Sequence, residues 1–178
     1  MNRTFSQRRD RLLVYRSMRE NKLSSARRTK CPECGEESAD LEWERGLQVC
    51  PRCAFHSPIG AYYRLSTILD PGSFQELEEK LVPADPLAFP GYPAKVAGLA
   101  ESTGLSDAAV AALGRVEDHR AVFVVLDSRF LMGSMGTAVG EKVTRAVEHA
   151  EKKKLPLVIF SASGGARMQE GIFSLMQM

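Results

Sequence analysis

Four cysteines and two glycine clusters are the residues of this chain whose types and spacing can do chemistry. The cysteines form two Cys-x-x-Cys pairs, Cys31-Pro-Glu-Cys34 and Cys50-Pro-Arg-Cys53, separated by fifteen residues. Each pair turns two thiolates to one side, and the segment between them, read as a hairpin, closes the four into a tetrahedron suited to zinc. Four thiolates leave no open coordination position, so the implied site is structural and not catalytic. His56, three residues beyond Cys53, is an alternative ligand on spacing alone; beside four cysteines it reads as an ordinary surface or packing histidine. No cysteine is left over, and the grouping points to metal ligation in a reducing compartment.

The first glycine cluster is Ser161-Ala162-Ser163-Gly164-Gly165-Ala166-Arg167-Met168, between an apolar run and the helix-like segment GIFSLMQM. Gly-Gly at a helix start leaves backbone N–H groups pointing outward with no Cβ to keep a ligand away, which suits an oxyanion or a phosphate. The ordinary alternative is a tight turn. The second cluster, Met132-Gly133-Ser134-Met135-Gly136, occupies the same kind of junction, so the two are expected to face one crevice. Neither matches a phosphate-binding loop or Gly-x-Gly-x-x-Gly, which disfavours nucleotide hydrolysis. No nucleophile-base triad is visible; His56, His119 and His149 read as a ribbon edge, a turn and a charged helix face. Catalysis here is expected to rest on backbone amides and positioning.

The elements that must hold these residues follow from pattern. Ser57-Pro58 with Ile59, Tyr62, Leu65, Ile68 and Leu69 predicts a helix from about 58 to 69. Ser73 and Glu76 form a capping-box pattern that predicts a second helix carrying Phe74, Leu77 and Leu81. Three prolines in Val82–Tyr92 predict a linker. Alanine-rich 107–113, leading through Glu117-Asp118-His119-Arg120 into AVFVVLD, predicts a hairpin. Ala121–Leu126 and Leu157–Ala162 read as strands buried on both faces. Val139, Val143, Ala146, Val147 and Ala150 mark an amphipathic helix between them. Strand, helix, strand is the rhythm of a layered α/β core.

With 44% hydrophobic and 26% charged residues among 178, the chain reads as an ordinary globular protein with no apolar run long enough for a bilayer span. The net charge of +2 hides an asymmetry: residues 1–30 hold ten basic and two acidic residues, and the other 148 hold 14 basic against 20 acidic. This arm is expected to be flexible or transiently helical. With Arg27, Arg28, Lys30, Arg45 and Arg52 it motivates an alternative reading as a zinc-ribbon nucleic-acid-binding module.

The ribbon CPECGEESADLEWERGLQVCPRC, the helix AYYRLSTILDPGSF, FLMGSMGTAVGEKVTRAVEHA and LPLVIFSASGGARMQEGIFSLMQM together resemble the carboxyltransferase beta subunits of multi-subunit acetyl-CoA carboxylases, from about Lys30 to Met178. The resemblance implies a crotonase-like α/β core of ββα repeats, incomplete in this chain, with an N-terminal four-cysteine zinc ribbon. The implied division is 1–30 arm, 31–56 ribbon and 57–178 carboxyltransferase domain. The implied reaction moves the carboxyl group of carboxybiotin to acetyl-CoA to form malonyl-CoA, the first committed step of fatty acid synthesis, with biotin itself taking the proton. Gly164 and Gly165 would hold the thioester oxygen of the enolate. Gly133, Ser134, Met135 and Gly136, with Ala166 and Arg167, would line the acyl-CoA pocket. Implied partners are the carboxyltransferase alpha subunit in an alpha2beta2 tetramer, the biotin carboxyl carrier protein and biotin carboxylase, in an ATP-binding complex of the bacterial cytoplasm or plastid stroma. Relatives using propionyl-CoA or longer acyl groups are the remaining alternative; they generally lack the ribbon. Family members continue well past SLMQM, so the resemblance implies a fragment, or a half supplied elsewhere, with no independent activity expected.

Overall fold

A computed structural model describes residues 28–177. The chain divides into two compact units that meet between Thr67 and Ile68, later than the boundary at 57 read from sequence. The arm is outside the described residues except for Arg28–Lys30.

Those three residues form strand β1, which pairs antiparallel with β2 (Glu37–Ala39) in the register Thr29 opposite Ser38. The pair encloses the first cysteine turn. Cys31 N–H donates to Glu36 O at 2.8 Å, Gly35 N–H to Cys31 O at 3.0 Å, and Gly35 takes the left-handed φ of +72° that glycine tolerates. The second turn repeats this with Cys50 N–H to Phe55 O and Ala54 N–H to Cys50 O, Ala54 standing at φ +60° where the first turn has glycine. Between the turns lies helix α1 (Asp40–Arg45), where sequence pattern suggested a hairpin. It buries Trp43 against Cys31 and Cys50, with Cys34 and Phe55 alongside. Helix α2 (Ala61–Ile68) starts three residues after the predicted point and buries Ala61, Tyr62, Tyr63 and Leu65. Tyr63 OH donates to Glu44 O at 3.3 Å.

The second unit is built on a four-stranded sheet in the order β3-β4-β5-β6. Its strands are β3 (Gln75–Leu77), β4 (Ala109–Val116), β5 (His119–Leu126) and β6 (Leu157–Phe160). The first two pairings are antiparallel and β5–β6 is parallel, with Val124 opposite Ile159. Strand β3 replaces the helix predicted from Ser73 and Glu76. The reason is local: Ser73 Oγ donates to Asp70 O and accepts Arg115 N–H at 3.0 Å, so the hydroxyl ties the segment to β4 and caps nothing.

The β4–β5 loop is only Glu117 and Asp118, both at positive φ, the backbone of a tight hairpin turn. Glutamate is poorly suited to that conformation, and aspartate tolerates it less well than glycine. The Asp70 carboxylate offsets the strain by accepting both their N–H groups, at 3.0 and 2.8 Å. Pairing with β5 overrides the helical propensity of the alanines in β4.

Two helices frame the glycine clusters. Helix α3 (Tyr92–Thr103) lay unread in the sequence; it opens after Gly91 and closes at Gly104, both left-handed. Helix α4 (Thr137–Lys153) connects β5 to β6 and buries Ala138, Val139, Ala146 and Ala150, close to the predicted stripe, while Val147 turns outward. Its Lys142 is buried as well, donating to Ser106 Oγ and Ala109 O. Val122 and Val124 of β5 are fully buried, each contributing on the order of 1.5–3 kcal/mol. Strand β6 departs from its reading: as the last strand of the sheet it leaves Val158 and Ile159 exposed.

Strands β4 and β5 with α4 make one ββα unit. Among the described residues no helix is long and apolar enough to cross a membrane.

Candidate functional site

The four cysteine sulfurs lie within 4.8 Å of one another. Cys31 Sγ is 3.7 Å from Cys53 Sγ, and Cys34 Sγ is 3.8 Å from Cys50 Sγ. Zinc–sulfur bonds of about 2.3 Å in a tetrahedron separate the sulfurs by about 3.8 Å, so this donor set fits zinc. The backbone N–H of Cys53, helped by that of Arg52, draws the Cys50 thiol down to about 7 against the effect of desolvation. At Cys53 a backbone hydrogen bond at Phe55 favours the thiolate, but desolvation and bonds to the other thiols outweigh it and push the group up to about 12. Metal entry at such a cluster releases protons. His56 is exposed and stands outside the thiol group, pairing through its backbone with Val49.

The two glycine loops pair directly with each other. Gly164 N–H donates to Met132 O at 2.8 Å, Met135 N–H to Gly165 O at 2.8 Å, and Arg167 N–H to Met135 O at 3.0 Å. Residues 132–136 and 164–167 thus run as a short parallel ladder, with Met135 opposite Ala166.

This pairing revises the picture of a glycine pair opening a helix. The backbone bends at Gly165 and bridges to the facing loop at Ala166, the next turn is a 3-10 turn at Met168–Glu170, and helix α5 begins only at Ile172 and ends at Leu175. The N–H of Gly164 is also already used, by Met132 O. Among the described residues the N–H of Gly165 is held by the hydroxyl of Ser163, two residues back at 3.1 Å and at the surface, a partner that a bond rotation removes. Gly165 sits at φ +104° with nothing within 4 Å of where a Cβ would stand. Gly133 is the tight contact instead: at φ +71°, its Cβ would fall 1.8 Å from Ala162 O.

Arg167 also takes a place other than the one expected. Its side chain is fully buried, donating to Asp107 Oδ1 at 2.6 Å, Ser134 O at 2.8 Å and Ser134 Oγ at 3.2 Å, and reaching Tyr92 OH and Glu170 Oε1. A guanidinium so placed has no face for a cofactor. Burial works against its charge, but Asp107, with Tyr92, outweighs this and holds it above its ordinary value. Burial, reinforced by Glu170, pushes Tyr92 well above its ordinary range, so it remains a neutral donor to Glu170 at 2.7 Å. Tyr92, Asp107 and Glu170 were missed in sequence because they stand far apart along it; the isolated aspartate beside a strand was the one available signal.

Among the other expected residues, Ser134 and Met135 are half-buried, Gly136 is buried under Glu170 and Arg167, and Ala166 is half-buried in the ladder. Of the ribbon cations, Arg52 pairs with Glu36 at 2.5 Å and Arg28 donates to Glu37 O; Arg27 is outside the described residues.

A ββα unit whose two glycine loops present one loosely held backbone donor, preceded by a four-thiol ribbon, defines a crotonase-like carboxyltransferase architecture. The chain belongs to the carboxyl transferase domain family, which matches residues 60–178. It is 51% identical over 149 residues to the acetyl-coenzyme A carboxylase carboxyl transferase subunit beta of Carboxydothermus hydrogenoformans, covering 84% of this chain and 53% of that protein. The protein of the same name from Desulforudis audaxviator is 54% identical, at 84% and 54% coverage. The chain spans about half the length of these curated relatives. Among solved structures it is similar to the 12S transcarboxylase with methylmalonyl-coenzyme A and methylmalonic acid bound, at 29% identity and TM-score 0.59 over 67% of this chain and 22% of that one. A Pseudomonas malonate decarboxylase hetero-tetramer in complex with malonate gives 28% identity and TM-score 0.50, over 67% and 42%.

Proposed function

We propose that this chain is part of a carboxyltransferase beta subunit that accepts the carboxyl group of carboxybiotin onto acetyl-CoA, forming malonyl-CoA. The observation that carries the reading is the Gly165 N–H, half-buried on the ladder and held, among the described residues, by the Ser163 hydroxyl. Deprotonating the methyl group of a thioester, with the biotin nitrogen left as the carboxyl group departs taking the proton, would place negative charge on its carbonyl oxygen, and a fixed N–H aimed at that oxygen stabilises the enolate more than the ground state. Rotation of the Ser163 side chain frees the N–H for the oxygen, with the backbone donor staying where it is. The neighbouring 132–136 loop then borders the acyl-CoA, with Met132 exposed beside Gly164. Carboxybiotin, on its carrier protein, supplies the carboxyl group. The names of the relatives support acetyl-CoA over larger acyl groups; in this reading the partners are an alpha subunit, a biotin carboxyl carrier protein and biotin carboxylase, in a bacterial cytoplasm or plastid stroma.

Zinc at Cys31, Cys34, Cys50 and Cys53 is structural in this reading, taking no part in the transfer. The test is a carboxyl-transfer assay of the family-length protein with its alpha partner, offering acetyl-CoA and propionyl-CoA side by side. Preference for acetyl-CoA supports the reading. Transfer to neither contradicts it, and preference for propionyl-CoA moves the substrate to the alternative.

A further inference from the structure

The two glycine loops are held together from behind by one buried cation. Arg167 reaches four separate places: Asp107 just before β4, Ser134 in the facing loop, Tyr92 at the first residue of α3, and Glu170 in the 3-10 turn. Glu170 extends the connection, because its Oε2 accepts the N–H of Thr137, the first residue of α4, at 2.6 Å. That places a carboxylate at the positive end of a 17-residue helix, where it satisfies a donor the helix leaves unpaired. Gly136 shows how close the fit is: a Cβ there would lie 2.4 Å from Glu170 Oε1 and 2.8 Å from Arg167 Nη1.

We propose that Arg167, acting with Glu170, is a positioning residue for the site: it locks the 132–136 loop and the start of α4 against residues 164–167, and thereby fixes the Gly165 N–H without touching a ligand. The functional part rests on the reading of Gly165 above. Arginine suits the task through its planar set of five donors, which serves Asp107, Ser134 and Glu170 together; lysine offers one ammonium that reaches only part of this set. The network stands behind the ladder, and the Gly165 N–H stands at its surface.

The test has two arms. In the 178-residue chain, amide hydrogen exchange compares Arg167→Lys with the unsubstituted protein at Met135, Gly164 and Arg167, using Val122–Val125 of β5 as reference. About tenfold faster exchange at the ladder amides with the reference unchanged supports positioning. Equal acceleration everywhere makes Arg167 a general stabiliser, and no acceleration leaves the ladder independent of it; either overturns the proposal. Should the lysine variant fail to fold, Glu170→Gln, which keeps an acceptor and loses the charge, is read in the same way.

The second arm uses the family-length complex. There Arg167→Lys is expected to lower kcat about tenfold or more while KM for acyl-CoA stays within about twofold. A raised KM with unchanged kcat makes Arg167 a ligand contact and overturns the proposal. An unsubstituted complex without turnover defeats the functional reading alone, and the exchange arm still decides the positioning role.

Discussion

At the scale of single residues, the two glycine clusters divide into positions that need space and one that needs exposure. Gly133 needs space: a methyl group there meets Ala162 O, and the backbone is already left-handed. Gly133→Ala is therefore expected to cost about 2–4 kcal/mol in denaturant unfolding, because backbone atoms must move and the conformation disfavours a side chain. A loss below about 0.5 kcal/mol would mean that the loops are not held as described. Gly165 has open space around it, and its value lies in the N–H it presents. The sequence made both clusters legible as special, since glycines at two strand ends of one α/β unit are hard to explain by packing alone. It could not separate the members. Which N–H is spent inside the ladder depends on Met132 and Ser163, and the burial of Arg167 depends on Tyr92, Asp107 and Glu170, all fixed by tertiary contacts that no local spacing reveals.

At the scale of elements, β5, α4 and the hairpin were readable because apolar runs and periodicity mark them; of the residues picked out on α4, Val139, Ala146 and Ala150 are buried, while Val143 is half-buried and Val147 exposed. The errors fall where one side chain overrides a local pattern. Ser73 carries a helix-capping signal and instead bonds the β4 edge, so a predicted helix becomes β3. Strand β6 carries a buried-strand signal and lies at the sheet edge, because its composition says nothing about what stands beside it. The β4–β5 turn has neither asparagine nor glycine, and Asp70 supplies what those residues would have given. Replacing Asp70 by Ala removes two acceptors from a strained turn and is expected to destabilise the fold by about 1–3 kcal/mol. Adding Asp118→Gly should restore part of that loss, since glycine accepts positive φ freely. Equal stability of Asp70→Ala and the unsubstituted chain in urea would show that the turn holds itself.

At the scale of the whole molecule, two units carry two different kinds of stability. Among the described residues the small first unit packs Trp43 against Cys31 and Cys50 and buries Ala61, Tyr62, Tyr63 and Leu65 on α2, and a zinc held by the four thiols would supply what a larger core supplies elsewhere. One zinc per chain is expected by metal analysis, and chelation or Cys50→Ser should abolish exchange protection around residues 31–53 while the β4–β5 amides keep theirs. Protein made with ample zinc under reducing conditions yet carrying none would refute the site. The second unit holds the buried strands β4 and β5 and both glycine loops. The central claim is that Gly165 offers the thioester oxygen a backbone donor, and the most direct measurement is turnover per folded molecule in the family-length complex for Gly165→Ala beside Gly72→Ala. Gly72 is the matched control: it too has positive φ and open space, and it lies in a turn next to Asp70. Both variants should lose similar stability, about 1–2 kcal/mol from forcing a side chain into left-handed backbone. The account expects Gly165→Ala to lose turnover about a hundredfold as its N–H swings off the oxygen, with Gly72→Ala unchanged. Equal turnover in the two variants would contradict it and leave the Gly-Gly pair a packing feature.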